Sequence, residues 1–591
     1  MQELRRGKPI VAGTAVPDDP GHLGLYPYCG ICADFILRHE RVIAFFGNQD
    51  STSYRGHTRP FAFPQLGYPR TVIDGYLPCR LADCSRCAAS PEFIPVHYDC
   101  LEIFRQRCSA PDALRRLWVL AAWRSPWRRA RPVHFSCPMV DKPTLSMISQ
   151  FCGLPLLHTL PQELLEIIRS HSQHSLLWRC IPVLKLARHI SATAPEPLIT
   201  LPLHELHSWE RNGRLQRVTT SQSPLPILRF TVDSGGISKV ERLPDRPQYQ
   251  GECTTRSAFI VEQDDPDSKV LAQLQDGRLR LVFLDRPSFQ LWNTPAPPSF
   301  TLCRACPAEI ARCQTFYAVE MDEIDGITFF FSLSRLCGLH IHHRGDSCAL
   351  DSCTRAFSNR QRRGVVWIYL PISKRDSPLL LGVREEVQIT RIQSIVVRTK
   401  LVGDVFVGMQ CTGAVQDYSL GSSAPLTMIY GEPKQPYPVY FFGAFCRVPD
   451  KGPTKPFCLP SPHGSPMGAT MAYFSWAPLS DVSSTLVFYD ESNGACKGIL
   501  LHYRNGGARA VGQCRLQVDP TEKVAQPVRV CIRVDSCSRP NREDLHIARV
   551  RFEQTPQGRT TVVDEGWESH QMAGIIKFWF TSESCFIVVE D

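Results

Sequence analysis

Near the start of the chain, paired donors of the kind that hold metal ions fall in a stretch that offers little else to fold around. Cys29-Gly30-Ile31-Cys32 and Cys84-Ser85-Arg86-Cys87 are Cys-x-x-Cys pairs, and His97-Tyr98-Asp99-Cys100 is a His-x-x-Cys pair. Two ligands separated by two residues can face one ion when the backbone turns between them, and each pair then supplies half of a tetrahedral site. Gly30 is expected to permit that turn. Two pairs complete four-coordination with no position left for water, which describes a structural ion rather than a catalytic one.

The expected ligand set is Cys29, Cys32, His97 and Cys100, because the last pair runs into Leu101-Glu102-Ile103-Phe104 and would sit at a helix start. Cys84 and Cys87 are left for a second site, weaker or redox-labile, with Cys79 and Cys108 as spare donors. Eight ligands in the alternating order of a RING-type ligase module are not visible. The cofactor expected is structural Zn2+. Its apparent binding energy of about 10–16 kcal/mol in small peptides would help fold a segment poor in regular structure. The competing reading is a set of buried free thiols.

The 25 cysteines follow an opening, Met1 to Pro9, that leads into no apolar signal region. That combination points to a reducing intracellular compartment, cytoplasm or nucleus. No window approaches the roughly 18 apolar residues of a membrane span. A net charge of +9 on 591 residues is a mild excess, so nucleic-acid binding is not expected. The 48 prolines exceed the usual share of about 5% and favour a loop-rich, β-leaning chain.

Five stretches differ in pattern. Residues 1–110 form the Cys/His-rich head. Residues 111–155 are a helical segment and linker, in which Ala113 to Trp123 spaces apolar residues three and four apart and stops at Ser125-Pro126. Residues 156–195 are helical again. Residues 198–310 alternate, as in Ile227-Leu228-Arg229-Phe230-Thr231-Val232 before Asp233-Ser234-Gly235-Gly236. Residues 314–591 hold short runs rich in Val, Ile and aromatics between turn signals such as Asn505-Gly506-Gly507. Gly326-Ile327, Gly498-Ile499 and Gly574-Ile575 suggest a degenerate repeat, or simply three similar core strands. The fold class expected is α+β multidomain, with a C-terminal region that is predominantly antiparallel β, sandwich or barrel-like.

Within 156–195, His158-Thr159-Leu160-Pro161-Gln162-Glu163-Leu164-Leu165-Glu166-Ile167-Ile168 predicts a helix, capped at Thr159 or Leu160 with Pro161 in its first turn. Leu164, Leu165 and Ile168 form an apolar stripe that must dock on something, because so short a helix is marginal alone. Two more helices are expected, Ser175 to Ile181 and Val183 to Ile190, with Pro182 starting the last. The Leu-Pro-x-Glu-Leu-Leu-x-x-Ile-Ile opening and the three-helix pattern after it resemble the F-box. In that family the motif packs on the linker subunit of a cullin–RING ubiquitin ligase while the rest of the chain recruits a substrate. The resemblance implies that Leu160, Pro161, Leu164, Leu165 and Ile168 lie at the docking surface. With the Val96-His97 to Phe104 segment before the box, and the Gly235-Gly236-Ile237, Asp325 to Phe330 and Val366 to Pro371 strands after it, the layout is similar to large F-box-containing proteins of filamentous fungi. Their C-terminal region has no assigned activity.

Catalytic signatures are missing: there is no phosphate loop and no Gly-x-Ser-x-Gly elbow. His204-Glu205-Leu206-His207 is one residue short of the helical zinc-protease spacing. His340, His342 and His343 read as a polar strand face or a metal site, and Cys303, Cys306 and Cys313 as a further knuckle or free thiols. Arg124 to Arg131, interleaved with Trp123 and Trp127, could touch phosphate and bases, though a solvated helix end is the simpler account. The chain is therefore read as a non-enzymatic adaptor or scaffold with a protein substrate. The rival reading is a lectin-like β-domain in which Trp367 or Trp579 stacks on a sugar.

Overall fold

Apolar side chains gather into separate cores along this chain, and contacts divide it into two units. One comprises Met1–Pro244, Thr255–Ser257 and Gln263–Ser288; the other comprises Asp245–Thr254, Ala258–Glu262 and Phe289–Asp591. The structure is a computed structural model. It describes residues 20–590 apart from 66–70, 82–83, 132, 134, 136–141, 173–174, 219–223, 255, 286–287, 309, 311–312, 344–347, 358, 387–393, 410–413, 423–424, 434–437, 447–456, 458–465, 468–471, 538–543 and 555–565. The reading of Met1 to Pro9 lies outside the described residues.

In the first unit the head runs β1 (Gly21–Gly24), β2 (Arg41–Gly47), β3 (Tyr54–His57), β4 (Phe61–Ala62), β5 (Tyr76–Cys79), α1 (Ser85–Ala89), β6 (Phe93–His97) and α2 (Tyr98–Arg107). β1 pairs with β5 in parallel. β2 pairs antiparallel with β3, β4 and β6. Val42, Ile43, Ala44 and Phe45 of β2 are all buried, so both faces of that strand are covered. Four helices follow: α3 (Ala113–Ala122), α4 (Lys142–Phe151), α5 (Gln162–His171) and α6 (Leu176–Ala192).

The helices are not a separate linker. Leu117, Trp118, Leu120 and Trp123 from the α3 segment, Ile148 from α4, and Val183, Leu184 and Ile190 from α6 share one core with Phe45, Val96 and Phe104 of the head. Arg116 on α3 closes the arrangement by donating to the carbonyl oxygens of Ile190, in the last turn of α6, and of Thr193, its C-cap, each at 2.7 Å. These carbonyls have no partner within the helix, and a buried guanidinium can satisfy them.

Two local expectations need correction. α5 begins at Gln162 with Pro161 as its N-cap, and Thr159 lies in a preceding 3-10 turn. The Pro161 carbonyl accepts the first helical hydrogen bond from Leu165, at 3.2 Å. Further on, the two helices expected around Pro182 are one: α6 runs through it. An internal proline costs about 3 kcal/mol. Burial of Trp178, Cys180, Val183, Leu184, Ala187 and Ile190 along one continuous helix offsets that cost. Within 156–195 the α-helices are therefore α5 and α6.

The rest of the first unit is β. Ile227–Asp233 and Gly236–Leu243 form the hairpin foreseen from the alternation, with Gly236 at φ +96°. Val270–Gln275 pairs with Arg278–Phe283 on one side and with Ile199–Pro202 on the other. In that hairpin Arg280 forms a bidentate pair with Glu92 of the head at 2.8 and 2.6 Å, both side chains buried.

The second unit is β-rich, with several antiparallel sheets. Ile324–Ser332 lies between Arg335–His343 and Val366–Pro371. Ile575–Phe580 lies between Tyr473–Pro478 and Cys585–Glu590. Cys496–Tyr503 lies between Val482–Tyr489 and Ala508–Gly512, and Gly506 at φ +92° makes the turn into the last of these. Ile327, Ile499 and Ile575 of the three Gly-Ile segments thus sit on strands flanked on both sides, with Gly574 just before the last of them, and Ile327, Phe329, Ile499, Leu501, Ile576 and Phe578 share one core. Trp367 and Trp579 are buried in satellite clusters, so neither offers a face to a sugar ring.

Burial alone would raise the Glu92 carboxyl, but the Arg280 guanidinium holds it below its usual range. The stabilisation is therefore complete above the unfolded carboxylate value of about 4.3 and is lost as pH falls through the lower folded value. Glu92→Gln should cost about 3–5 kcal/mol in chemical denaturation at neutral pH, because it leaves Arg280 buried and uncompensated. The deficit should shrink towards acid; a deficit under about 1 kcal/mol at neutral pH would contradict this account.

Candidate metal centres

β6 and α2 are consecutive, so His97 is the N-cap of α2 and Cys100 sits in its first turn. The Cys29–Cys32 loop docks beside them. The Gly30 amide donates to the Pro95 carbonyl at 2.9 Å, and the Ala33 amide closes the turn onto Cys29 at 2.9 Å. Gly30 is needed for space rather than for an unusual backbone angle: a Cβ there would lie 2.4 Å from Ile94 Cγ2. The left-handed position of the loop is Ala33, at φ 65°.

This brings Cys29, Cys32, His97 and Cys100 together, all buried, with their ligand atoms within 4.8 Å of one another. His97 Nδ1 lies 3.4 Å from Cys32 Sγ and 3.8 Å from Cys100 Sγ. One imidazole nitrogen with a single proton or lone pair cannot serve both sulfurs, whereas an ion between them serves all. Donors around tetrahedral zinc are about 3.5–3.8 Å apart, given bond lengths of about 2.0–2.3 Å.

The thiols behave as a crowded set. Burial alone would raise Cys29, yet contacts from Cys100, Cys32 and His97 pull it well below an ordinary thiol. Contacts with Cys29 and Cys32 push Cys100 well above, and burial pushes Cys32 up to about 11. One thiolate forms at the expense of its neighbours, because like charges in contact cannot coexist without a cation.

His97 carries an outer partner. Its Nε2 lies 3.3 Å from Glu40 Oε2, and Arg179 of α6 holds the other carboxylate oxygen at 3.1 Å. The β2–β6 register explains the contact, since His97 pairs with Val42 and Glu40 lies just before β2. A carboxylate behind a ligating histidine fixes its tautomer and raises its basicity.

A second set assembles from His22, Cys79, Cys84 and Cys87, again with ligand atoms within 4.8 Å of one another. His22 on β1 and Cys79 on β5 lie on neighbouring parallel strands, paired with Leu77 and Gly24 respectively. Cys84 is the N-cap of α1 and Cys87 lies within it. His22 Nδ1 stands 3.2 Å from Cys84 Sγ and 3.8 Å from Cys87 Sγ. The Cys87 sulfur pulls Cys79 down to about 5, while Cys79 pushes Cys87 up. Cys79, a spare donor in the sequence, thus has a place; Cys108 does not, and accepts instead from Ser191 Oγ at 3.6 Å. His22 had no donor beside it in sequence to mark it. The eight donors are interleaved along the chain, although alternation was not visible from the pairs alone.

Arg124 and Arg128 of the arginine cluster are partly buried, while Arg129 is exposed. Arg124 donates to the carbonyls of Cys29, Gly30 and Ile31 at 3.1–3.4 Å. Arg128 donates to Ser90 at 2.9 Å, and Arg129 donates to Ala88. Trp123 and Trp127 are buried, so no stacking surface for bases is presented. Elsewhere, His204 and Glu205 lie in a 3-10 turn and His207 on a strand. His340 and His342 do face each other, with ring centroids 4.6 Å apart, but contact Ser352 and Thr328. Cys303 donates to Ser299 O and Cys306 to Glu385. Neither group forms a donor cluster among the described residues.

No family model matches the chain, and no curated protein does. A solved structure, the V. cholerae biofilm matrix protein Bap1, aligns at 9% identity and a TM-score of 0.11, covering 61% of this chain and 43% of that one. The chain thus spans under half the length of that protein, and so low a score carries no argument.

Glu40→Gln should weaken metal retention about 10–100-fold in chelator competition while leaving the fold intact. Unchanged retention would show that Glu40 does not act on the site through His97.

Proposed function

We propose that this protein is a non-catalytic, F-box-like adaptor. Its head is held by Zn2+ on Cys29, Cys32, His97 and Cys100, and α5 docks on the linker subunit of a cullin–RING ubiquitin ligase. A Cys3His donor set of soft thiolates and one imidazole, with all four members buried, suits a closed structural zinc. The β-rich second unit, read as sandwich- or barrel-like, selects the protein to be recruited.

The observation that carries the reading is the contrast between α5 and α6. Leu164, Ile167 and Ile168 of α5 are 46%, 54% and 36% exposed, and Leu156 just before it is 73% exposed. Leu165 and Leu160 are half-buried and Pro161 is exposed. α6, with a comparable supply of apolar residues, is embedded in the core of its unit. Contiguous apolar side chains left in water mark an interaction surface. Each would contribute about 1.5–3 kcal/mol if fully covered by a partner. The F-box resemblance supplies the identity of that partner, and α5 and α6 are the helices that fall within the motif's span of residues 156–195.

The full-length protein should co-purify with the linker subunit. Leu164→Asp combined with Ile168→Asp should abolish this while leaving the circular dichroism spectrum unchanged, because both positions face solvent. Failure of the unaltered protein to bind, or binding that survives the double substitution, would sink the proposal.

A further inference from the structure

We infer that His22, Cys79, Cys84 and Cys87 bind a second Zn2+, and that this ion is the exchangeable member of an interlocked pair. The inference is independent of the docking of α5, but rests on the proposed Zn2+ at Cys29, Cys32, His97 and Cys100. His22 is 2% exposed, and its Nδ1 points at two sulfurs at distances that an ion between them explains. Burial of an imidazole at that spot costs free energy unless the ring is ligated or hydrogen-bonded. The backbone at His22 is also fixed, its amide donating to Ser90 Oγ at 3.1 Å. Gly24 lets α1 close over β1, since a Cβ there would stand 3.3 Å from Cys87 Cβ.

The order of donors along the chain is His22, then Cys29 and Cys32, then Cys79, Cys84 and Cys87, then His97 and Cys100. Each cluster closes a loop that contains ligands of the other, so neither ion can be removed without loosening the chain around its neighbour. Binding displaces the thiol protons to solvent, leaving three thiolates and a neutral imidazole on the ion.

The two sites are held unequally. Behind His97 stand Glu40 and Arg179, whereas His22 Nε2 is buried with no hydrogen-bond partner among the described residues. Missing outer support typically weakens a site 10–100-fold. Access differs too: Cys84 and Cys87 are half-buried on α1, a five-residue helix with no buried residue, while Cys29, Cys32 and Cys100 are buried. Both differences act in the same direction, towards faster release of the second ion.

The test uses full-length protein, metal analysis and a colorimetric chelator. The unaltered chain should contain two zinc ions, one released at least about tenfold faster than the other. The Cys84→Ser, Cys87→Ser double substitution should hold one zinc and lose the fast phase. In case that variant fails to fold, alkylation of the unaltered protein mapped by mass spectrometry gives a second reading. Cys84 and Cys87 should resist labelling until chelator is added, while exposed Cys253 and Cys537 label from the start. A single zinc in the unaltered protein, two ions leaving at one rate, or Cys84 and Cys87 labelling as fast as Cys253 before chelation would each overturn the inference.

Discussion

Crowding of six thiols and two imidazoles into two points is the constraint on which the head depends. Its strands are short, and β1 and β5 form a sheet of two strands. Beside its apolar core, this segment gathers sulfur and nitrogen donors from distant positions into two clusters, whose thiolates would repel one another unless a cation lay between them. The opposed shifts of Cys29 against Cys100, and of Cys79 against Cys87, are that repulsion expressed as acidity. The first centre is also fastened to the helices, because the Glu40 carboxylate behind His97 is gripped by Arg179 on α6.

Arginine is the second organising element of the first unit. Arg116, Arg124, Arg128 and Arg280 point into the unit and donate to carbonyl oxygens or to a buried carboxylate. The planar, multi-donor guanidinium suits this work, since it can satisfy several acceptors from one stem. It follows that the modest positive charge of the chain overstates what its surface offers a polyanion, at least around residues 116–131. A basic and aromatic run that resembles a nucleic-acid contact in sequence is instead a brace for the two Cys/His loops.

The features most legible from sequence were local. Cys29, Cys32, His97 and Cys100 follow from spacing, and the short extended runs of the C-terminal half became strands because branched and aromatic residues between turn signals have few other options. Pro182 reads from sequence as a helix start, because local backbone cost takes no account of the apolar face that holds α6 together across it. Gly30 reads from sequence as a residue that eases a turn, whereas in the fold it makes room for Ile94, on a strand distant in sequence. Trp367 and Trp579 looked available for stacking only because an aromatic residue in a strand does not announce which face is covered.

The sequence by itself determined the pairs of donors, the helix following Pro161 and the β-rich character of the second unit, since each rests on spacing or propensity over a few residues. Only tertiary structure decided that His22 and Cys79 complete the second donor set, that Arg116, Arg124, Arg128 and Arg280 face inward and that α5 is exposed while α6 is buried. These depend on which distant segments meet. Strand pairing such as that of β1 with β5 brings side chains together across a separation that no local pattern of residues encodes.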